Sequence, residues 1–181
     1  MLAAMLSGAV SRALHVESLE RRALLDPLTG LANRWAFNEA IERAFDAVAG
    51  RVPRRVTVVM VDVNGLKAVN DEHGHSEGDR LLEAVAGLLS DAFSSLHGSL
   101  VARMGGDEFV VLVPGSDIDQ VMAAAESICS AAFKLPRCSG LSYGVATTVN
   151  AGPGSAHRLL DAADQARYRA KRGHLPLPVL A

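Results

Sequence analysis

LVARMGGDEFVVLVP, residues 100–114, sets two apolar runs on either side of a Gly-Gly-Asp-Glu turn. Short apolar runs joined by a glycine turn read as a β-hairpin, here LVAR (100–103) and FVVLVP (109–114). Working outward, VTVVMVDV (56–63) is β-branched and almost wholly apolar, the pattern of a buried strand. Asp62 near its end is poorly suited to a core and well placed at the end of a sheet. LSYGVATTV (141–149) is a further strand. Helical segments separate these runs. Residues 33–49 set Phe37, Ala40, Ile41, Ala44, Phe45 and Val48 on one face. Residues 78–94, 117–134 and 156–172 are the other helices, the last with Ser155 as its expected N-cap. RVPRR (51–55), the polar stretch 64–77 with Gly65 and Gly74, and NAGPG (150–154) read as loops. The tail LPLPVLA (175–181) has no assignment. Helices alternate with some strands while a hairpin joins others. The fold class expected is therefore α/β in the α+β sense: one mixed sheet covered by helices, with a ferredoxin-like core.

Residues 2–25 form one further helix ahead of this unit. Leu2, Leu6, Ala9, Ala13, Val16 and Ala23 fall at alternating spacings of three and four, with Glu20 the one polar intruder. Such a stripe suits pairing with a second helix; packing on its own domain is the alternative. Pro27 stops it. The expected organisation is an N-terminal helix (1–25), one globular domain (26–174) and a tail (175–181).

At 181 residues and 49% hydrophobic content, the chain has enough apolar material for one core. A net charge of -2 argues against a nucleic-acid binder, which carries a basic surplus. MLAAMLSGAV (1–10) lacks a basic leader region and is too short to span a bilayer, so no membrane segment is expected and a cytoplasmic location is. Cys129 and Cys138 match no metal-ligand spacing and read as free thiols. His73 and His75 form a His-x-His pair with no third ligand nearby.

Asp62, Asp107 and Glu108 carry the chemistry. If the 56–63 strand pairs beside the hairpin, Asp62 and Asp107 converge at one end of the sheet. Hard carboxylate oxygens there suit magnesium, commonly held by one or two carboxylates plus phosphate oxygens. Two such ions activate an attacking hydroxyl and stabilise a leaving pyrophosphate. The plainer reading is an ordinary turn beside a strand-ending aspartate.

A set of motifs resembles the GGDEF family of diguanylate cyclases. MGGDEF (104–109) resembles its signature, DPLTGLANR (26–34) its entry motif, and VDVNGLKAVNDEHGHSEGD (61–79) its nucleotide-binding segment. SYG (142–144) resembles its conserved strand and ADQARYRAK (163–171) its last helix. The matches run in family order over about four-fifths of the chain. The resemblance implies a palm core of the nucleotide cyclase type. It also implies an enzyme that joins two GTP into cyclic di-GMP as a homodimer, with Mg2+ or Mn2+ at two ions per GTP. A non-catalytic GTP-binding regulatory module is the alternative. By resemblance, Asp62, the Val63 carbonyl and Asp107 bind metal, and Asp107 helps deprotonate the attacking 3′-hydroxyl. Glu108 supports them. Gly105 and Gly106 admit the α-phosphate. Residues 63–67, Leu66 among them, cradle the β- and γ-phosphates. Lys67 and Lys171 neutralise the triphosphate, and Asn70 and Asp79 read guanine. Asp79 also fits a helix capping box with Ser76.

The chain departs from the pattern at four places. Asn64 stands for a second aspartate and Trp35 for an arginine. Arg172-Gly173-His174 closes the last helix one residue short of the usual arginine. Leu96 and Ser99 stand where the family's product-inhibition site resembles an arginine and an aspartate. The helix at the N-terminus also leads one to expect a sensor domain upstream.

Overall fold

The computed structural model describes residues 24–48, 55–115, 117–148, 156–173 and 179–181. The elements in chain order are β1 (Ala32–Asn33), α1 (Arg34–Val48), β2 (Val56–Val63), α2 (Leu66–His73), α3 (His75–Phe93), β3 (Leu100–Gly105), β4 (Glu108–Pro114), α4 (Ile118–Ala132), β5 (Leu141–Thr147), α5 (Ala156–Gly173) and β6 (Val179–Leu180). They build one sheet of order β1-β3-β4-β2-β5-β6. β2 is antiparallel to both β4 and β5, whereas the edge pairs β1–β3 and β5–β6 are parallel. The expected mixed sheet covered by helices is what forms.

β2 holds the centre because both of its faces are buried. Val59, Val61 and Val63 pack with Leu82, Val85 and Leu89 of α3 and with Val121, Ala125 and Ile128 of α4. Val56 and Val58 face the other way, onto Phe37 and Ile41 of α1 and Leu159 and Ala163 of α5. Burying each such valine contributes about 1.5–3 kcal/mol, which selects this register. The even-numbered face of β2, which carries Asp62, therefore looks toward α5.

The sequence boundaries hold for β2 and, to within one or two residues, for α1, α4, β5 and α5. They fail at 64–77. That stretch is not a loop: Leu66–His73 is helical and the next helix starts at His75, three residues earlier than expected. Only Val69 of α2 is buried, so the apolar period that announces a helix is missing. Gly74, at φ 86 and ψ 159, ends one helix and caps the next. That conformation is open to glycine and closed to almost every other residue. The cap is thus Gly74 with no side-chain bond, and the Ser76–Asp79 capping box does not form. The hairpin strands run on to Gly105 and Glu108. The unassigned tail contains a strand: β6 pairs through Gly144↔Val179 and Val145↔Leu180. β1 is too short to have left a pattern. The expected helix 2–25 lies outside the described residues except at its last two positions, and so do most of RVPRR, NAGPG and Ser155. Among the described residues no helix is long and apolar enough to cross a membrane.

Candidate active site

The β2–β4 register sets Asp62 directly opposite Glu108. Residues opposite each other in an antiparallel ladder put their side chains on the same face. Asp107, one residue earlier in the turn, is joined to this strand end differently: its carbonyl accepts the Val63 N–H at 3.0 Å. Asp62, Val63, Asp107 and Glu108 thus meet at one end of the sheet. The residue across from Asp62, however, is Glu108, to which the sequence assigns only a supporting part. The period of two along β4 explains this, since 108, 110 and 112 share the face of 58 and 62.

Asp62 is buried, at 3% exposure, and a bare carboxylate there would be costly. Two cations from α5 meet it. Arg167 Nη1 donates to Asp62 Oδ2 at 2.8 Å and Lys171 Nζ donates to Oδ1 at 2.6 Å. Arg167 also donates to Asp164 Oδ1 from Nε at 2.9 Å and from Nη2 at 2.5 Å, and its Nη2 lies 3.8 Å from Glu108 Oε1. Burial works against the charge on Arg167. The hydrogen bond to Asp164 and the charges of Asp164, Asp62 and Glu108 outweigh it and hold the guanidinium above its ordinary pKa. Gly144 sets the helix this close: a Cβ there would lie 2.0 Å from the Ala163 carbonyl oxygen and 2.2 Å from Arg167 N. Arg167 carries no assigned role in the sequence motifs. A signal was present, because Arg167 shares the helix face of the buried Ala163, Ala166 and Ala170, where an arginine needs a partner.

The segment expected to hold nucleotide lies beside this strand end. Leu66 and Lys67 open α2 after Gly65, and the first N–H groups of a helix have no intrahelical acceptor. Lys67 is exposed. Asn70 Oδ1 is buried with no hydrogen-bond partner. It lies 1.9 Å from where a Cβ on Gly78 would stand, so the glycine makes room for it. Asp79 follows directly and is exposed. Asn70 of one helix thus packs against the position that precedes Asp79 on the next. His73 and His75 flank Gly74 on those same two helices.

The hairpin tip is open and braced from behind. A Cβ at Gly105 or Gly106 would meet nothing within 4 Å, so the backbone is accessible to a ligand. Arg103 donates to the Gly106 carbonyl from Nε at 3.1 Å and Nη2 at 2.8 Å, and from Nη1 to both oxygens of Asp26 at 3.1 and 3.3 Å. Thr29 donates to Asp26 Oδ1 from its N–H at 2.9 Å and its hydroxyl at 2.7 Å. Burial pushes the Asp26 pKa up, but the Thr29 hydrogen bonds and the Arg103 guanidinium bring it below the usual value. Arg34 Nε donates to the Met104 carbonyl at 3.0 Å. The DPLTG segment is in this way fastened to the Gly-Gly turn.

Most of the departures from the resembled pattern find local uses. Asn64 Oδ1 accepts from the Ser142 hydroxyl at 2.9 Å. Arg172 lies over the Tyr168 ring, 5.7 Å from its centroid. Trp35 is 40% exposed. Leu96 packs on the core and Ser99 Oγ donates to the Phe93 carbonyl at 2.8 Å. Both line a cleft of about 450 Å3. Cys129 and Cys138 are free thiols, and burial pushes Cys129 up to about 11, far from reactivity at neutral pH.

The oxygen set at the strand end fits a hard divalent cation. Magnesium dehydrates reluctantly and is usually held by one or two carboxylates, with water and substrate phosphate completing its shell. Asp62 and Glu108, with Asp107 and the Val63 carbonyl beside them, offer such a set. Among the described residues, no three or more His, Cys, Asp or Glu side chains converge closely enough to hold a metal ion by themselves. Asp107 is joined to this strand end through its backbone, and water and substrate phosphate would have to complete the shell.

Comparison with known proteins gives a consistent result. The family model described as "Diguanylate cyclase, GGDEF domain" matches residues 23–175. A Streptomyces griseus protein described as an uncharacterized protein in the hutH 5′ region is 42% identical over the whole chain, which spans 76% of it. Diguanylate cyclase DgcP of Pseudomonas aeruginosa is 34% identical over 87% of the chain, which spans only 24% of that longer protein. Among solved structures, the coiled coil and GGDEF domain of DgcB from Caulobacter crescentus, in complex with c-di-GMP, superposes with a TM-score of 0.78. It is 28% identical, covering 99% of this chain and 97% of that one.

Proposed function

We propose that this chain, which belongs to the diguanylate cyclase GGDEF-domain family, condenses two GTP molecules into cyclic di-GMP and releases two pyrophosphates. The observation that carries the reading is the acidic strand end. Register sets Asp62 against Glu108, and Asp107 is hydrogen-bonded through its backbone to Val63, beside an open glycine turn and a helix start.

Asp62, the Val63 carbonyl, Asp107 and Glu108 would hold two Mg2+ or Mn2+ ions. When bound, these supply Lewis acidity to the phosphoryl oxygens and lower the pKa of the attacking 3′-hydroxyl. The chain's own groups do the rest. Asn70 and Asp79 orient guanine: a carboxylate accepts from the N1 and N2 hydrogens of guanine, which adenine cannot offer in that form. The backbone N–H groups of Leu66 and Lys67 donate to the outer phosphates at the positive end of α2. Lys67 and Lys171 balance phosphate charge, and Lys171 turns from Asp62 toward the nucleotide to do so. Gly105 and Gly106 let the α-phosphate approach the hairpin, and Asp107 takes the proton of the attacking hydroxyl. One chain binds one GTP, so the 3′-hydroxyl that attacks comes from a second copy. Turnover therefore needs a homodimer and rises more than linearly with dilute protein concentration.

The family's other outcome is a GTP-binding regulatory module without turnover. Two observations favour it: both oxygens of Asp62 are engaged by basic side chains, and Arg172 is drawn onto Tyr168. Incubation with GTP and Mg2+, followed by chromatography, decides between them. The expected products are cyclic di-GMP and pyrophosphate, with nothing comparable from ATP. GTP that is bound yet intact at high protein concentration selects the regulatory reading.

A further inference from the structure

The space between Asp62 and Glu108 already contains a cation. Arg167 presents Nη1 at 2.8 Å from Asp62 Oδ2 and Nη2 at 3.8 Å from Glu108 Oε1. A guanidinium does not vacate such a position by losing a proton, because it stays charged at every ordinary pH. Its planar fork spans two carboxylates at once, as a lysine ammonium does not. The side chain is only 12% exposed, and α5 is pressed onto Gly144 directly behind it. A second seat is also present. Asp164, with its side chain 51% exposed, accepts from Nε and Nη2 of the same guanidinium.

We propose that Arg167 is a built-in counter-ion that closes the Asp62–Glu108 seat in the metal-free chain and sets the divalent-ion concentration needed to open it. The proposal rests on the reading of Asp62 and Glu108 as metal carboxylates. A buried carboxylate without a partner destabilises a fold strongly. Arg167 removes that penalty while the site waits for substrate. A divalent ion that takes Asp62 must displace the guanidinium, which keeps its bonds to Asp164 near the surface. Lys171, 45% exposed and held by one contact, is the more easily released of the two cations. The metal-free site is therefore stable, and its metal affinity is lower than its carboxylates alone would give.

The test titrates Mn2+ into the full chain without nucleotide and follows free Mn2+ by electron paramagnetic resonance. Arg167→Gln and Arg167→Met are expected to bind Mn2+ about tenfold more tightly than the unaltered chain. Arg167→Lys should stay nearer to it, and Asp62→Asn should abolish the gain in either background. Far-UV circular dichroism identifies folded variants, and Arg167→Gln, which keeps hydrogen-bonding capacity, decides if the methionine variant does not fold. Equal or weaker Mn2+ binding in folded Arg167→Gln, including no binding in either protein, overturns the proposal. Product chromatography runs alongside. Cyclic di-GMP made by a chain whose Mn2+ affinity ignores residue 167 sinks the counter-ion and leaves the cyclase reading intact. A gain in Mn2+ affinity without turnover of GTP does the reverse.

Discussion

The two ends of the site are prepared in opposite ways. At the strand end, Asp62 is buried and both its oxygens are bonded to cations of the chain itself. At the end proposed to take guanine, Asn70 keeps a buried oxygen without a partner and Asp79 stands in solvent. The difference follows from burial. A charge 3% exposed must be neutralised before any ligand arrives, whereas an exposed carboxylate is solvated by water and can wait. On the proposed function, the strand end would exchange one set of cations for another, whereas the guanine end would only add hydrogen bonds. Substitution of the buried Asp62 should act on stability and chemistry together, and substitutions at the second end on affinity and selectivity alone.

The largest expected effect is at Asp62. Asp62→Asn should lower cyclic di-GMP production by about 100- to 1000-fold, the loss typical of removing one electrostatic element from a transition state. It should also lower the melting temperature, because Arg167 and Lys171 lose their counter-charge. Breaking a buried pair costs about 3–5 kcal/mol, and the exposure of Lys171 puts this case at the lower end. Asp107→Asn and Glu108→Gln should reduce turnover comparably with little change in melting, since neither carboxylate is buried. A full-rate Asp107→Asn enzyme would remove Asp107 from the metal set and leave the strand end to Asp62 and Glu108.

The guanine end should respond more gently. Asp79→Asn is expected to cut the preference for GTP over ATP by about 10- to 100-fold, the range for one hydrogen bond to a charged group, with melting unchanged. Gly78→Ala is a sharper probe because it touches no ligand. Its Cβ would fall 1.9 Å from Asn70 Oδ1 and must push that side chain aside. GTP affinity, measured by calorimetry, should fall several-fold while nucleotide-free Mn2+ binding stays the same. A shift in Mn2+ binding would join the two ends and break the comparison.

A smaller effect is expected behind the hairpin. Asp26 has its pKa lowered on folding. Its contribution is therefore complete above the ordinary aspartate value of 3.8 and is lost as pH falls through the lower folded value. Asp26→Asn should flatten the acid side of the stability curve below pH 3.8 and leave neutral-pH melting only slightly reduced. If Arg103 serves to hold the tip, turnover should also fall modestly. Melting curves from pH 2 to 7 check the first point, and a variant with the acid profile unchanged contradicts it.

Much of this is legible in the amino-acid sequence itself. The central strand 56–63 declared itself because a strand buried on both faces has to be apolar throughout. Asp62 stood out against that background. The exchange at the strand end was not legible. Arg167 sits 105 positions from Asp62, and nothing local marks that separation except an arginine among buried alanines. The helix Leu66–His73 was hidden because only Val69 reaches the core. Ser76 and Asp79 have the spacing of a capping box, yet a glycine two residues before Ser76 starts the helix. β6 is made in register with β5 by tertiary pairing, in a tail with no alternation to read.

The smallest expected effect is none at all, and it tests whether the two ends account for the whole response to ligand. A third region, the cleft of about 450 Å3 lined by Leu96, His97, Ser99 and Gly30, lies away from both. It contains the positions where the family's product-inhibition site would carry an arginine and an aspartate. Leu96 offers neither charge nor hydrogen bond and is packed on the core. The Ser99 hydroxyl is already donated to the Phe93 carbonyl. Arg103, the nearby guanidinium in sequence, is committed to Asp26 and to Gly106. A phosphate bound in this cleft would find no planar fork of paired donors, which is the feature that makes arginine hard to replace in such sites. Added cyclic di-GMP should therefore leave initial rates at saturating GTP unchanged, and any inhibition should be competitive and weakened by Asp79→Asn. Strong non-competitive inhibition that survives Asp79→Asn would mean that a third region does control the rate.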